Sequence, residues 1–267
     1  MRSTGIVNLS NKKLYREETW LQNQYLGRKK SAPEIARELG VDICTVRYWM
    51  NKFSIFARSH SMVMSLRRKN CVTLSKNAKE FLYGELLGDG HLGNNSPLSS
   101  FYSHSSKHLG YLIWLSGIFE GFGIEQVGKI HKNLRVGGFM YSSRSYPEFK
   151  TLRKKWYRLA TEKEKSKGRK FIKILPRNLS LTPLVCRQWY IGDGSLNKKG
   201  KFITLNTQCF MSGEVDRLIM LLIDLDFKVT KHADRSIYVS TYSTRGFLEF
   251  IGACPKEIEN IYGYKWN

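Results

Sequence analysis

Two aspartates stand out by what surrounds them. Residues 88–92 read GDGHL and residues 192–196 read GDGSL, and each closes an apolar run, FLYGELL before the first and QWYI before the second. One Gly-Asp-Gly is ordinary turn chemistry. Two copies at the ends of similar runs suggest that two helices end side by side and bring Asp89 and Asp193 together. Paired carboxylates repel unless a divalent cation bridges them. Mg²⁺ suits such a pair, because it accepts few carboxylates and completes its shell with water and phosphate oxygens. Sites of that kind cut phosphodiesters. Gly84, Gly88 and Gly192 carry no Cβ and would let the two helices approach closely. Gln188 stands where the second copy should match Gly84, so the contact is expected to be asymmetric there.

Positioning such a pair requires a duplicated scaffold, and the sequence carries one from about residue 76 onward. Ser142, Ser145 and Phe149 in YSSRSYPEF recur at a constant offset as Ser240, Ser243 and Phe247 in VSTYSTRGF. LGYLIWLSGIFEGFG (109–123) matches SGEVDRLIMLLIDLDF (212–227) as a long apolar helix. KFITLNT and SIYVSTY alternate as half-buried strands do. Each half therefore reads helix, two strands, helix, two strands, helix. The charge-dense stretch 153–173 between them reads partly as exposed linker.

Residues 1–70 form a separate module. Ser31 starts a helix with Pro33 in its first turn, followed by Ile35, Ala36 and Leu39 at helical spacing. Gly40 breaks it, Val41 packs the turn, and Asp42 caps a second helix with Val46, Trp49 and Met50. This is a helix-turn-helix pattern, in which Thr45, Arg47, Tyr48 and Lys52 face a major groove or its phosphates. The stretch 58–70, RSHSMVMSLRRKN, reads as a basic linker able to follow a phosphate backbone.

Composition agrees with a polyanionic partner. The 267 residues hold 44 Lys and Arg against 22 Asp and Glu, a net charge of +22. Such an excess opposes compaction unless nucleic acid or another polyanion is bound. A hydrophobic fraction of 42% suits a packed chain rather than a disordered one. No apolar run approaches the roughly 20 residues of a membrane span, and MRSTGIVNLSNKK lacks the apolar core of a secretory signal. The five cysteines (44, 71, 186, 209 and 254) are odd in number and not at metal-ligand spacing, which argues against zinc and a disulfide framework.

The motifs LYGELLGDG (82–90) and CRQWYIGDG (186–194) resemble the pair in monomeric LAGLIDADG homing endonucleases. The longer blocks KILPRNLSLTPLVCRQWYIGDGS and ITLNTQCFMSGEV and the closing YGYKW carry the same likeness, which spans nearly all of 76–267. It implies an α/β (α+β) fold of two pseudo-twofold αββαββα halves, 76–165 and 166–267, with antiparallel saddle-shaped sheets, preceded by the all-α module. It implies that Asp89 and Asp193, with Gly88 and Gly192 beside them, hold Mg²⁺, with Mn²⁺ as a substitute. Lys173 and Lys265 would stand near the scissile phosphates and Gln208 in the surrounding solvent network. Sheet residues such as Thr204, Asn206, Tyr238 and Ser240 would read the major groove. The expected activity is a site-specific double-strand DNA break, one strand per aspartate across the minor groove, with short 3′ overhangs. The expected enzyme is an intron-associated, intracellular monomer, in cytoplasm, nucleoid or organelle matrix. Two rivals fit the same surface: an intron RNA maturase, and a DNA-binding regulator that does not cut.

Overall fold

A computed structural model describes residues 13–58, 70–133, 137–166, 168, 170–197, 199 and 201–267. The expected basic linker and the first twelve residues lie almost wholly outside them. The chain divides into two compact units, Met1–Val63 and Met64–Asn267, with a separate hydrophobic core in each.

In the first unit, α1 (Glu18–Gln22) runs on through a π-helical turn (Asn23–Gly27). Then come α2 (Ala32–Leu39) and α3 (Ile43–Lys52). Ser31 and Glu34 make a reciprocal capping box at the start of α2, satisfying N–H groups that a helix start leaves open. Gly40 ends α2 in the left-handed region at φ 62°, where a side chain would be strained. The Asp42 carboxylate accepts from Cys44 N at 2.7 Å to start α3. Leu21, Ile35, Ala36, Val46 and Met50 are buried together. The first helix has no sequence signal of its own: its buried residues, Leu21, Gln24 and Tyr25, show little apolar periodicity.

The second unit repeats one pattern twice. Its first half runs α4 (Lys76–Leu87), β1 (His91–Gly93), β2 (Phe101–Ser106), α5 (Leu109–Gly121), β3 (His131–Asn133), β4 (Gly138–Ser142) and α6 (Pro147–Trp156). A ribbon follows, β5 (Tyr157–Leu159) and β6 (Phe171–Lys173), with the short α7 (Glu162–Lys165) between its strands. The second half runs α8 (Pro183–Asp193), β7 (Gly194–Asn197), β8 (Phe202–Leu205), α9 (Ser212–Ile223), β9 (Val229–Lys231), β10 (Ile237–Val239) and α10 (Thr241–Ile251), and α11 (Glu259–Tyr262) closes it. Both four-stranded sheets are antiparallel, ordered β1-β2-β4-β3 and β7-β8-β10-β9. One core cluster runs through both halves.

The two ends of the charge-dense stretch 153–173 are folded into α6 and a ribbon, while most of the described residues 161–170 between β5 and β6 are exposed. Arg153 is buried, donates Nε to Leu92 O at 3.0 Å and lies 4.1 Å over the Phe171 ring. Tyr157 pairs with Lys173 in the ribbon. Stem burial of long cationic side chains is what charge counting misses here, and this ribbon carries Lys173 to the site.

Candidate active site

The two motif helices pack along their length and end together. Ser75 caps α4, accepting from Ala78 N at 3.1 Å. Thr182 caps α8, accepting from Val185 N at 3.3 Å, with Pro183 in the first turn. Thr182 Oγ1 also donates to Glu80 Oε2 at 2.9 Å, joining the two helices near their starts. The helices are therefore parallel, and the glycines set their spacing. A Cβ on Gly84 would fall 2.5 Å from both Gln188 Cβ and Val185 O, and one on Gly88 would fall 3.4 Å from Gly192 Cα. The expected asymmetry is visible at Gln188: it is buried against Gly84, and neither side-chain polar atom has a hydrogen-bond partner.

At the helix ends Asp89 and Asp193 line one cleft of about 550 Å³ with Gly88, Lys173, Asn206 and Gln208. Burial, and then the charge of Asp89, push the Asp193 carboxyl up to about 7. Lys173 Nζ donates to Gly88 O at 3.1 Å and Gly90 O at 3.3 Å, closing the end of α4. Lys265 Nζ does the same for α8, reaching Ile191 O at 2.6 Å, Tyr190 O at 3.3 Å and Gly192 O at 3.4 Å. Each lysine thus sits at the negative end of a helix dipole. Burial lowers both ammonium pKa values, Lys265 to about 8, while Asp193 and Asp89 oppose the shift. The carbonyls of Gly88 and Gly192, expected as metal neighbours, are engaged by these lysines.

The remaining expected residues fall at several places. Thr204 and Tyr238 are half-buried partners across β8 and β10. Tyr238 stacks on His232 at 3.6 Å and on Phe202 at 5.1 Å. Asn206 lies just beyond β8 at the cleft. Ser240 corrects the strand reading: β10 stops at Val239, and Ser240 is the N-cap of α10 with its Oγ buried. Its place is fixed by the helix that follows, which the alternation of SIYVSTY conceals. Gln208 is exposed and donates to Asp234 at 3.2 Å. On α3, Arg47, Tyr48 and Lys52 are exposed and Thr45 is half-buried. Lys52 Nζ stands 4.5 Å over Trp49.

Two cleft residues escape sequence reasoning. His91 Nδ1 is 3.1 Å from Tyr157 Oη, and burial first, then Lys173 and Arg153, lower the imidazole pKa. The available signal is adjacency: His91 directly follows the Gly-Asp-Gly turn. Tyr157 gives none, because only the ribbon brings it there.

The two aspartates offer hard oxygen donors, in a cleft also lined by His91 and Cys209. Among the described residues no three His, Cys, Asp or Glu side chains gather as a metal cluster, so two carboxylates are what the protein offers. That fits Mg²⁺ or Mn²⁺, which keep water and phosphate oxygens in their shells.

Known proteins are similar to this chain. A family model for the LAGLIDADG DNA endonuclease family matches residues 79–247. An uncharacterized protein of Methanocaldococcus jannaschii is 26% identical over 222 residues, covering 79% of this chain and 81% of that one. Cytochrome b mRNA maturase bI2 of Saccharomyces cerevisiae is 27% identical over 172 residues, 57% of this chain but only 37% of the maturase. The homing endonuclease I-WcaI, solved bound to its DNA recognition sequence, matches with TM-score 0.54 and 18% identity over 78% of this chain and 95% of that one. With both motifs inside the matched span, the chain belongs to the LAGLIDADG DNA endonuclease family.

Proposed function

We propose that the protein is a site-specific, Mg²⁺-dependent endonuclease that cuts both strands of a long double-stranded DNA target, with Mn²⁺ able to substitute. It acts as a monomer and serves intron homing. The observation that carries this reading is the cleft where Asp89, Asp193 and Lys173 meet at the ends of two glycine-joined helices.

Asp89 and Asp193 would hold the divalent cation, which supplies Lewis-acid activation of water and counter-charge for the leaving oxygen. Lys173 has two of its three N–H groups on carbonyls, which leaves one to face a scissile phosphate or its attacking water. Lys265 has three carbonyl acceptors around its ammonium and works as a fixed charge. His91, with its pKa lowered, is a neutral acceptor of a proton or hydrogen bond beside Asp89. The sheet faces bearing Thr204, Tyr238 and His232 read base edges, and α3 of the first unit adds groove or phosphate contacts through Arg47, Tyr48 and Lys52.

Similarity to a cytochrome b maturase favours a second reading, in which the same basic surface binds structured intron RNA. Incubation with a DNA library in Mg²⁺, followed by sequencing of ends, separates the two. The endonuclease reading expects breaks at one long sequence with short 3′ overhangs, lost on chelation. Tight RNA binding with accelerated splicing and no DNA cleavage would replace it by the maturase. DNA binding without cleavage in either cation would leave a regulator.

A further inference from the structure

Glu85 breaks the apolar run of the first motif, one helical turn before Asp89, and takes no part in the chemistry proposed for the cleft. It is 2% exposed. Its Oε2 accepts from Tyr102 Oη at 2.5 Å and lies 3.0 Å from His104 Nδ1, and its Oε1 accepts from Tyr111 Oη at 2.7 Å. Tyr102 and His104 stand on β2 and Tyr111 on α5, so two elements converge on one carboxylate of α4. An isolated buried carboxylate is costly, and several well-aligned donors offset that cost only if they hold one geometry. The result is a rigid polar knot.

The knot touches the catalytic turn. Gly90 N donates to Glu85 O at 2.8 Å. A Cβ on Gly90 would lie 2.6 Å from Glu85 O and 2.8 Å from Tyr102 Oη, so the backbone beside Asp89 rests directly on the knot. The second copy is built otherwise. Trp189 takes the place of Glu85, fully buried, with its Nε1 unpartnered, and the β8 residues matching Tyr102 and His104 are the buried Ile203 and Leu205. There Gly194 N bonds Tyr190 O in helical register, and α8 runs through Asp193, whereas α4 stops at Leu87 before Asp89.

We infer that Glu85, held by Tyr102, His104 and Tyr111, is a positioning residue for Asp89 alone and makes the two strand-cutting centres inequivalent. Glu85 acts through Gly90 rather than by touching DNA or cation. The inference rests on the endonuclease reading for its effect on cleavage, but not for its effect on the turn. Glu85→Gln keeps the shape and replaces one accepting oxygen with an NH₂ donor. Tyr111→Phe removes a single hydrogen bond and keeps the fold accessible should the first variant fail to fold. Trp189→Phe is the control in the second half. With each strand of a mapped target labelled separately, Glu85→Gln is expected to slow one strand at least tenfold more than the other. The slowed strand should be the one slowed most by Asp89→Asn, and nicked product should accumulate. Tyr111→Phe should do the same more weakly, and Trp189→Phe should not. Equal slowing of both strands, or a bias toward the strand that depends on Asp193, overturns the inference. Amide hydrogen exchange of the apo-protein tests the positioning role even if the wild type cuts no DNA. Faster exchange at 88–91 with 192–195 unchanged supports that role; no change at 88–91, or an equal rise in both turns, overturns it.

Discussion

At the scale of single residues, the two lysines and two aspartates are paired by sequence but not by environment. Lys265 spends all three N–H groups on the end of α8, while Lys173 keeps one for the cleft. Lys173→Met should therefore lower the cleavage rate by about 100-fold, the scale of losing one aimed donor, with a smaller loss of melting temperature than Lys265→Met, since two carbonyls rather than three lose their donor. Lys265→Met should lower the melting temperature as well, because the last carbonyls of α8 lose their donor. Thermal melts beside single-turnover cleavage separate the two outcomes. Asp193 adds a pH signature. Its carboxyl titrates near 7 in the folded protein against an ordinary value of 3.8. Between those pH values the native state binds more protons than the unfolded chain, so stability without metal falls as pH rises through that window. Asp193→Asn should flatten this slope and raise the apo melting temperature at pH 8, as functional charges often cost stability. For the same reason the stabilisation by Mg²⁺ should be larger at pH 8 than at pH 6. Calorimetric melts at the two pH values check both statements.

At the scale of elements, the paired helices decide where those residues stand. Gly84 has no room for a methyl group, with Gln188 Cβ and Val185 O each 2.5 Å from where it would sit. Gly84→Ala should destabilise the fold by about 1–3 kcal/mol, the usual cost of overpacking a tight contact. Part of that loss should return in Gly84→Ala combined with Gln188→Gly, a coupling that urea titrations of the single and double variants would measure. These helices are legible in the sequence because apolar runs, glycines and the repeated Asp coincide, and the alternation of KFITLNT and SIYVSTY marks β8 and β10. The ribbon of β5 and β6 is not legible, because Arg153 is buried and Lys173 half-buried through contacts distant in sequence and their charge reads as exposure. Glu85 is hidden for the opposite reason: one acid in an apolar run carries no sign of Tyr102, His104 and Tyr111, which arrive from β2 and α5. Ser240 is misread as strand because a strand and the cap of the next helix share one polar-apolar alternation.

At the scale of the whole molecule, net charge and two separate cores set the terms of binding. A +22 chain should bind DNA with a steep inverse dependence on salt, since each neutralised phosphate releases counterions. Removing residues 1–63, a compact unit with its own core, should weaken target binding about tenfold and shallow that salt slope while leaving the cut positions in place. Gel-shift titrations at several salt concentrations, paired with mapping of the cut ends, test this. Above all, Asp89 and Asp193 are proposed to form one active site from two copies of a turn. Strand-resolved cleavage of the mapped target by Asp89→Asn and by Asp193→Asn in Mg²⁺ is the decisive measurement. Each variant is expected to bind DNA within a few-fold of wild type and to lose double-strand cleavage by at least ~100-fold. Wild-type cleavage by both variants would contradict a shared two-aspartate site.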